Sequence, residues 1–331
     1  MSARHSNISI FVPHIGCPNM CSFCNQRHIT GIHYAPHASD VIDAVKAATT
    51  SNKYNPQTTE IAFFGGSFTA INRNYMIELL RTAHAFVQNG IVSGIRISTR
   101  PDAIDQEILD ILKNYGVTSI ELGAQSLNDR VLRANNRGHT VKDVKKAAEL
   151  IKDNGFSLGL QMMTGLYRDT DEYAIKTAEQ IIELKPDTVR IYPTIVLRDT
   201  DLAALYSDNK YKPQTLNDAV SLCAKLLIMF KNADINVIRL GLHSIENDAY
   251  ISGPWHPAFS ELCQSKIYLE KAQNLLTVQG KYTIYVNKSS VSKMIGQSRC
   301  NIDTLAQQGY ICDVKADDKL KDYQIIVERR A

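Results

Sequence analysis

The sequence lacks long hydrophobic runs, a strong net charge and a recognisable leader segment. Its 331 residues are 44% hydrophobic and 21% charged, and its apolar stretches have the length of β-strands, which excludes a helix that spans a bilayer. The first residues lead into a short apolar segment without the cleavage site of a signal peptide, so we expect a chain that is not secreted. A net charge of +3 is too small to indicate nucleic-acid binding by itself.

The seven cysteines are an odd number and predict no disulfide framework. Cys17, Cys21 and Cys24 form a compact C-x3-C-x2-C loop. Three thiolates on one loop can hold three irons of a cubane cluster and leave the fourth iron open. Two alternatives remain, a structural zinc site that adds His28 and a set of buried structural cysteines. The other four cysteines are interpreted as small hydrophobic residues: Cys223, Cys263, Cys300 and Cys312.

Strand-like and helix-like segments alternate over the first 200 residues. Strands are predicted at residues 8–14, 60–66, 95–100, 119–125, 157–163 and 188–194. Helices are predicted between them at residues 41–50, 75–88, 105–115, 141–154 and 172–184. This alternation predicts a parallel sheet with right-handed crossovers and outer helices, either doubly wound and open or closed toward a barrel.

Polar and glycine residues fall at the ends of the predicted strands, where the carboxyl ends of parallel strands form the functional edge of such folds. They are Gly65, Gly66, Ser67, Arg100, Gln125, Gln161 and Tyr192, and the cysteine loop follows the first strand. Glycine allows a close approach of the backbone, and a serine supplies a small hydroxyl and an amide donor. These positions predict one shared functional site at the carboxyl ends of the strands, which we call the mouth.

The cysteine loop, with Phe23 as the aromatic residue of C-x3-C-x-aromatic-C, resembles that of the radical S-adenosylmethionine (SAM) superfamily. Within it the chain is most similar to the Elongator catalytic subunit 3 family and more distantly to oxygen-independent coproporphyrinogen oxidase. The similarity spans about residues 8–200, with shared stretches at residues 13–17, 63–69, 98–102, 121–126, 136–140 and 190–196. It implies a [4Fe–4S] cluster on the three cysteines, with SAM on the open iron and cleaved to a 5′-deoxyadenosyl radical.

The resemblance also implies which residues contact SAM. Gly65, Gly66 and Ser67 would approach the methionine end, and Phe23 would lie between the cluster and the adenine side. The ribose and carboxylate would be lined by Ser98, Gln125, Arg137 and Gln161. Coproporphyrinogen-oxidase-like relatives often have acids where Ser98 and Gln161 stand. Each position keeps an ordinary alternative: a tight turn at the glycines, a loop-anchoring aromatic at Phe23, sheet-end amides at the glutamines and a solvated arginine at Arg137.

We therefore predict an α/β protein with a partial (β/α)6 TIM-like barrel at residues 1–240 and a small α+β module at residues 241–331, in which we expect a helix at residues 290–308. The resemblance implies a tRNA wobble uridine as substrate. Relatives that make that modification carry an acetyltransferase domain, which we do not expect in the roughly 130 residues after the barrel motifs. A basic segment with tyrosines at residues 281–301 is either an RNA contact or a solvated helix face.

The expected cofactors are the [4Fe–4S] cluster and SAM. The expected partners are an electron donor such as flavodoxin or ferredoxin and RNA or tRNA, with no membrane. Since such clusters are labile to oxygen, we expect a cytoplasmic protein. Two functions of other classes remain as alternatives, a zinc-stabilised RNA-binding module and a tetrapyrrole-binding protein of the haem pathway.

Overall fold

The computed structural model describes residues 5–12, 17, 20–25, 34–242 and 248–330, and its main feature is a parallel sheet. The first six strands are β1 (Ser6–Val12), β2 (Thr59–Gly65), β3 (Gly94–Thr99), β4 (Val117–Gln125), β5 (Ser157–Thr164) and β6 (Thr188–Pro193). Two more follow, the short β7 (Val196–Leu197) and β8 (Asn236–Leu240), and β8 joins the sheet beside β6.

The strands of this sheet lie side by side in chain order, β1-β2-β3-β4-β5-β6-β8, and each pair is parallel. The order never reverses, which separates a barrel-type winding from a doubly wound sheet. With β1 and β8 as its edges the sheet forms a curled half-barrel. The predicted partial barrel is confirmed, and β8 extends the six predicted units by one strand.

Helices cover the outer face of the sheet, and its central strands are almost entirely buried. All six residues of β3 are buried, as are the first five of β2. The covering helices are α1 (Ala38–Thr49), α2 (Arg73–Gln88), α3 (Gln106–Asn114), α4 (Asp129–Ala134), α5 (Val141–Asp153), α6 (Asp171–Leu184), α7 (Asp201–Ser207) and α8 (Leu216–Asn232). Most begin at a side chain that caps their free amides; the Thr140 hydroxyl of the α5 cap, for example, accepts from the Asp143 amide.

A second, smaller sheet follows the half-barrel. Strand β9 (Tyr250–Ser252) pairs with β7, and β10 (Gly280–Val286) lies between β11 (Tyr310–Ala316) and β12 (Ile325–Arg329). Helix α9 (Phe259–Leu275) joins the two parts, because Cys263 and Ile267 pack in the core of the half-barrel while Tyr268 packs in that of the small sheet. The small α+β module is therefore docked on the barrel; its predicted boundary at residues 240/241 stays a prediction.

Two details of this module differ from the prediction. The helix predicted at residues 290–308 is two helices, α10 (Val291–Ile295) and α11 (Cys300–Gln307). The chain breaks between them because Gly296, Ser298 and Arg299 have φ values of 82°, 50° and 66°, which no α-helix accommodates. Cys300 is exposed there, so its interpretation as a small buried hydrophobe is wrong, whereas Cys223, Cys263 and Cys312 are buried. Among the described residues, no helix is long and apolar enough to cross a bilayer.

Candidate functional site

The cysteine loop lies at the carboxyl end of the sheet and is fixed to it by Ser22, a residue the sequence did not single out. The buried Ser22 hydroxyl donates to Asn135 Oδ1 at 2.8 Å, and its amide donates to the Asn135 carbonyl at 3.2 Å. The Ser22 carbonyl accepts from the amide of Leu202 in α7 at 2.7 Å. Because Asn135 follows α4, the loop is held by the elements that follow β4 and β6.

Phe23 serves this same attachment. Its ring packs against an apolar cluster that includes Val196, Leu202 and Tyr211. The sequence left two roles open for Phe23, an aromatic residue that anchors the loop and a ring beside the adenine of SAM. The observed packing corresponds to the first of these roles. A SAM contact of Phe23 stays a prediction.

The three thiols of the loop influence one another electrostatically. Burial, together with the neighbouring Cys21 and Cys17, raises the pKa of Cys24 to about 12. Burial also raises the pKa of Cys17, opposed by a hydrogen bond from the Ser67 backbone and by the charges of Arg100 and Arg137. Within the described ranges, no three His, Cys, Asp or Glu side chains are grouped as ligands of a single metal ion. Three neighbouring soft donors beside guanidinium groups nevertheless fit a thiolate-bound, negatively charged cluster.

Arg137 forms the most direct contact with this loop. Its Nη1 donates to Cys21 Sγ at 3.0 Å and its Nη2 to the Gly123 carbonyl at 2.6 Å, and the side chain is buried. The solvated alternative for Arg137 is therefore wrong. A hydrogen bond to a ligating sulfur is one of the means by which a protein tunes an iron–sulfur cluster. The predicted pairing with a SAM carboxylate stays a prediction, and the Nε of Arg137 has no hydrogen-bond partner among the described residues.

Other buried polar atoms at this edge of the sheet also have no hydrogen-bond partner within the described chain. They are Ser98 Oγ, Gln125 Oε1 and Arg100 Nη1. Gln125 lies beside an irregularity in the β4–β5 register and has a φ of 64°, which is rare outside glycine and redirects its side chain. Since buried polar groups are nearly always hydrogen-bonded, these atoms fit a polar ligand such as SAM that would complete their bonds.

The turn at Gly65, Gly66 and Ser67 is fixed by the protein itself. Gly65 has a φ of 111°, and a Cβ there would lie 2.8 Å from the Val12 carbonyl oxygen. The Gly66 amide donates to that oxygen at 2.7 Å. The buried Ser67 hydroxyl lies 2.8 Å from Thr99 Oγ1 and accepts from the Arg100 amide at 3.2 Å. The tight-turn alternative thus describes this segment, and its contact with SAM stays a prediction.

We expect Gly65→Ala to destabilise the protein by about 2 kcal/mol or more, because the new methyl group meets the Val12 carbonyl in a strained backbone. Gly90→Ala is the matched control, since Gly90 has a φ of 66° but no atom within 4 Å of an added Cβ. Urea unfolding of the two variants compares a methyl group added at a close approach with one added at a positive φ where there is open space. Equal losses would contradict the role given to Val12.

Gln161 belongs to a buried network of charges that the sequence reasoning missed. Its Nε2 donates to Glu121 Oε2 at 3.0 Å, which corresponds to the satisfied amide of the alternative interpretation. Glu121 lies 3.2 Å from Arg96 and 2.6 Å from Arg190. Glu60 belongs to the same network because it also pairs with Arg96, at 2.8 Å. Burial opposes the ionisation of Glu60, yet hydrogen bonds from His5 and Thr118 and the charge of Arg96 lower its pKa to about 2. The sequence did contain a sign of this network, because charged residues occur in strands that are otherwise apolar.

The histidines near the cysteine loop contribute little to the described site. His14, His28 and His33 lie outside the described residues, and with His28 so does the fourth ligand of the zinc alternative. His37 caps α1. Tyr192 at the end of β6 faces Arg190, and burial raises the pKa of its hydroxyl. A substrate or adenine contact of Tyr192 stays a prediction.

The chain is similar in sequence to proteins that are much longer. It is 29% identical over 261 residues to Elongator complex protein 3 of Homo sapiens, which covers 66% of this chain and 47% of that protein. It is 34% identical over 129 residues to the tRNA uridine(34) acetyltransferase of Methanocaldococcus jannaschii, or 38% of this chain and 24% of that protein. The chain thus spans about half the length of the human protein, and the match to the archaeal protein covers about a quarter of that protein.

A solved structure has the same fold. The archaeal Elp3 of Methanocaldococcus infernus superposes with a TM-score of 0.66 at 19% identity, over 81% of this chain and 63% of that one. Residues 186–270 match the Radical_SAM C-terminal domain. Residues 11–181, more than half of the chain, match the Radical SAM superfamily, whose members use SAM and an iron–sulfur cluster. The protein therefore belongs to the radical SAM superfamily of enzymes, as its cysteine motif predicted.

Proposed function

We propose that Cys17, Cys21 and Cys24 hold a [4Fe–4S] cluster, that SAM binds at its open iron, and that the enzyme modifies RNA. The observation that carries the proposal is the position of the three thiols. They lie at the carboxyl end of a half-barrel, beside a buried guanidinium that reaches Cys21 at 3.0 Å. Around them lie buried polar atoms without partners among the described residues.

When bound and reduced, the cluster would supply the electron that cleaves SAM into methionine and a 5′-deoxyadenosyl radical. The residues of this chain bind and orient. Arg137 donates to the sulfur of Cys21 and offers its Nε to a carboxylate, while Ser98 and Gln125 offer their unsatisfied oxygens to hydroxyl or amino groups. Arg137, Ser98 and Gln125 are buried, and the exclusion of water from these bonds strengthens them. We propose flavodoxin or ferredoxin as the electron donor and the cytoplasm as the compartment.

An RNA substrate is supported by the relatives. The Methanocaldococcus jannaschii protein is named for an activity on a tRNA uridine. Its similarity covers 38% of this chain, so the substrate of the present enzyme is part of the proposal. We infer a uridine in tRNA, or another RNA base, as the target of the radical.

Anaerobic purification tests the proposed cofactors. We expect a brown protein with about four irons and four sulfides per chain, which forms 5′-deoxyadenosine from SAM after reduction with dithionite. A colourless protein with one zinc would favour the zinc-stabilised alternative. A co-purified haem without SAM cleavage would favour the tetrapyrrole-binding alternative.

The RNA assignment has a separate test. Nucleosides from the bulk RNA of a deletion strain are compared by mass spectrometry with those of the parent strain and of a strain complemented with the wild-type gene. We expect one modified nucleoside to disappear in the deletion strain and to return on complementation. An unchanged profile in a strain whose enzyme cleaves SAM in vitro would contradict an RNA substrate.

A further inference from the structure

An exposed groove beside the cysteine loop is not explained by the binding of SAM. It consists of two adjoining cavities of about 570 and 380 Å³ that share Tyr167 and Arg168, in the connection between β5 and α6. Arg130 and Arg133 of α4 also line the first cavity. Lys210 and Lys212, which follow α7, also line the second. We call the two cavities together the Tyr167 groove.

The walls of the Tyr167 groove carry more positive than negative charge. Within the described residues, the side chains of Arg130, Arg133, Arg168 and Lys212 form no ion pair, and all four are exposed. Lys210 pairs with Asp208 at 2.9 Å. The groove itself contains two carboxyl groups, those of Asp169 and Asp171. Four exposed cations that no carboxylate pairs with in the described part of the chain are therefore available to an anionic ligand.

The two carboxyl groups reduce this excess only in part. Asp171 is exposed, and its Oδ1 accepts from Gln214 Nε2 at 3.1 Å. Burial raises the pKa of Asp169 to about 7, against the lowering effect of backbone hydrogen bonds from Thr170, Gly165 and Leu166. Asp169 is thus only partly ionised near neutral pH. The groove keeps a surplus of positive charge.

The ridge between the two cavities is held in place before any ligand binds. The Tyr167 carbonyl accepts from Asn135 Nδ2 at 2.9 Å, and the Tyr211 hydroxyl donates to the Gly165 carbonyl at 2.7 Å. Arg168 lies over the Tyr167 ring at 5.4 Å and has a φ of 60°, which is strained for a residue with a side chain. Such strain persists only where surrounding contacts impose it, and it often marks a binding surface.

The same contacts connect the groove to the cysteine loop. Asn135, which holds the Tyr167 carbonyl, also accepts the two hydrogen bonds of Ser22, the neighbour of Cys21. Phe23 packs in the cluster that contains Tyr167 and Tyr211. A ligand in the Tyr167 groove would therefore lie directly beside the loop that carries the proposed cluster.

We propose that the Tyr167 groove binds the phosphodiester backbone of the RNA strand that carries the target base. This inference rests on the proposed function, and it names the surface that would hold the substrate. Its cations belong to three separate parts of the fold, namely α4, the β5–α6 connection and the segment after α7, and they line two open cavities. This arrangement fits successive phosphates of a strand better than one enclosed phosphate. The half-buried rings of Tyr167 and Tyr173 lie in the walls, where unpaired bases can stack.

The basic segment at residues 281–301 fits this role less well. Tyr282 is buried in the core of the small module, and its hydroxyl donates to the Val278 carbonyl. Lys281 and Lys288 are exposed, but the segment forms part of a packed sheet and its flanking helices. Tyr285 is half-buried, as Tyr167 and Tyr173 are, but its side chain is hydrogen-bonded to Glu328 of β12. The Tyr167 groove differs from this segment because its contacts through Asn135 join it to the cysteine loop.

Fluorescence anisotropy with a labelled, unmodified tRNA transcript tests the inference on the full chain. The test variant is Arg130→Ala/Arg133→Ala/Lys212→Ala, which removes exposed cations from both cavities. The matched control is Lys142→Ala/Lys145→Ala/Lys146→Ala, which removes the same charge from the exposed face of α5. A third variant, Lys281→Ala/Lys288→Ala/Lys293→Ala, tests the C-terminal segment.

Each lost phosphate contact lowers the slope of log affinity against log salt by about 0.7 for single-stranded RNA, so we expect the groove variant to lose about 2 units of slope. The α5 variant should keep the wild-type slope. Equal losses in these two variants, a loss confined to the C-terminal variant, or no binding of RNA by the wild type would overturn the inference. Because anisotropy requires no radical chemistry, its failure is distinguishable from failure to form 5′-deoxyadenosine.

Discussion

Cys21→Ala is expected to reduce the formation of 5′-deoxyadenosine from SAM to the background level. The substitution leaves two thiols on a loop whose three sulfurs are needed to hold a cubane with one open iron. It also removes the sulfur to which Arg137 Nη1 donates at 3.0 Å, so a buried guanidinium loses one of its two acceptors. The product is measured by mass spectrometry after anaerobic reconstitution and reduction, and iron is counted in the same sample.

Cys300→Ala is the matched control for this experiment. Cys300 is exposed and belongs to the small module, outside the cysteine loop, so its removal should leave iron content and SAM cleavage at wild-type values. Circular dichroism of both variants verifies that each one folds. Wild-type SAM cleavage by a folded Cys21→Ala protein would exclude Cys21 from the ligand set and, with it, the proposed cluster site.

The local features of the fold were predictable because they depend on short stretches of sequence. Each predicted strand of the half-barrel is present, since runs of β-branched residues between amphipathic helices leave little choice of secondary structure. The mouth was predictable for the same reason: parallel winding brings every strand end to one edge. The cysteine spacing depends on eight consecutive residues and needs no tertiary information.

The contacts that complete the site were not predictable, because they join residues far apart in the chain. Arg137 and Cys21 are separated by 116 positions, and nothing near Arg137 indicates a sulfur as its partner. The Tyr167 groove combines residues from α4, the β5–α6 connection and the segment after α7. The break at Gly296 was missed because helical periodicity continues on both sides of it, although glycine is a common residue at a helix end and has a φ of 82° here.

The network around Glu121 was missed for a further reason. A charged residue in a strand is ordinarily assigned to solvent, whereas Glu121 is 1% exposed. It is tolerated because its two carboxylate oxygens contact two cations, Arg96 on the neighbouring strand β3 and Arg190 on β6. The curvature of the sheet brings β6 within reach although β5 lies between it and β4. The network thus spans the concave side of the half-barrel, below the mouth.

Glu121→Gln is therefore expected to destabilise the protein by about 3–5 kcal/mol, the usual loss when one partner of a buried ion pair is removed. Arg96 keeps Glu60 at 2.8 Å, but Arg190 loses its carboxylate partner among the described residues and remains 12% exposed. Glutamine has the shape of glutamate and can still accept a hydrogen bond, so the loss reports mainly the charge. The free energy of unfolding is measured in urea at neutral pH.

Glu107→Gln provides the comparison, because the Glu107 side chain is 75% exposed and pairs with Arg73 on the surface at 3.0 Å. Such a pair contributes less than about 1 kcal/mol. If both variants lost the same small amount, the charge of Glu121 would contribute no more to stability than that of the exposed Glu107, and the strands would not need it to hold Arg190. A large loss confined to Glu121→Gln would instead mean that paired charges stabilise the concave side, where they join β4 to β3 and β6 below the mouth.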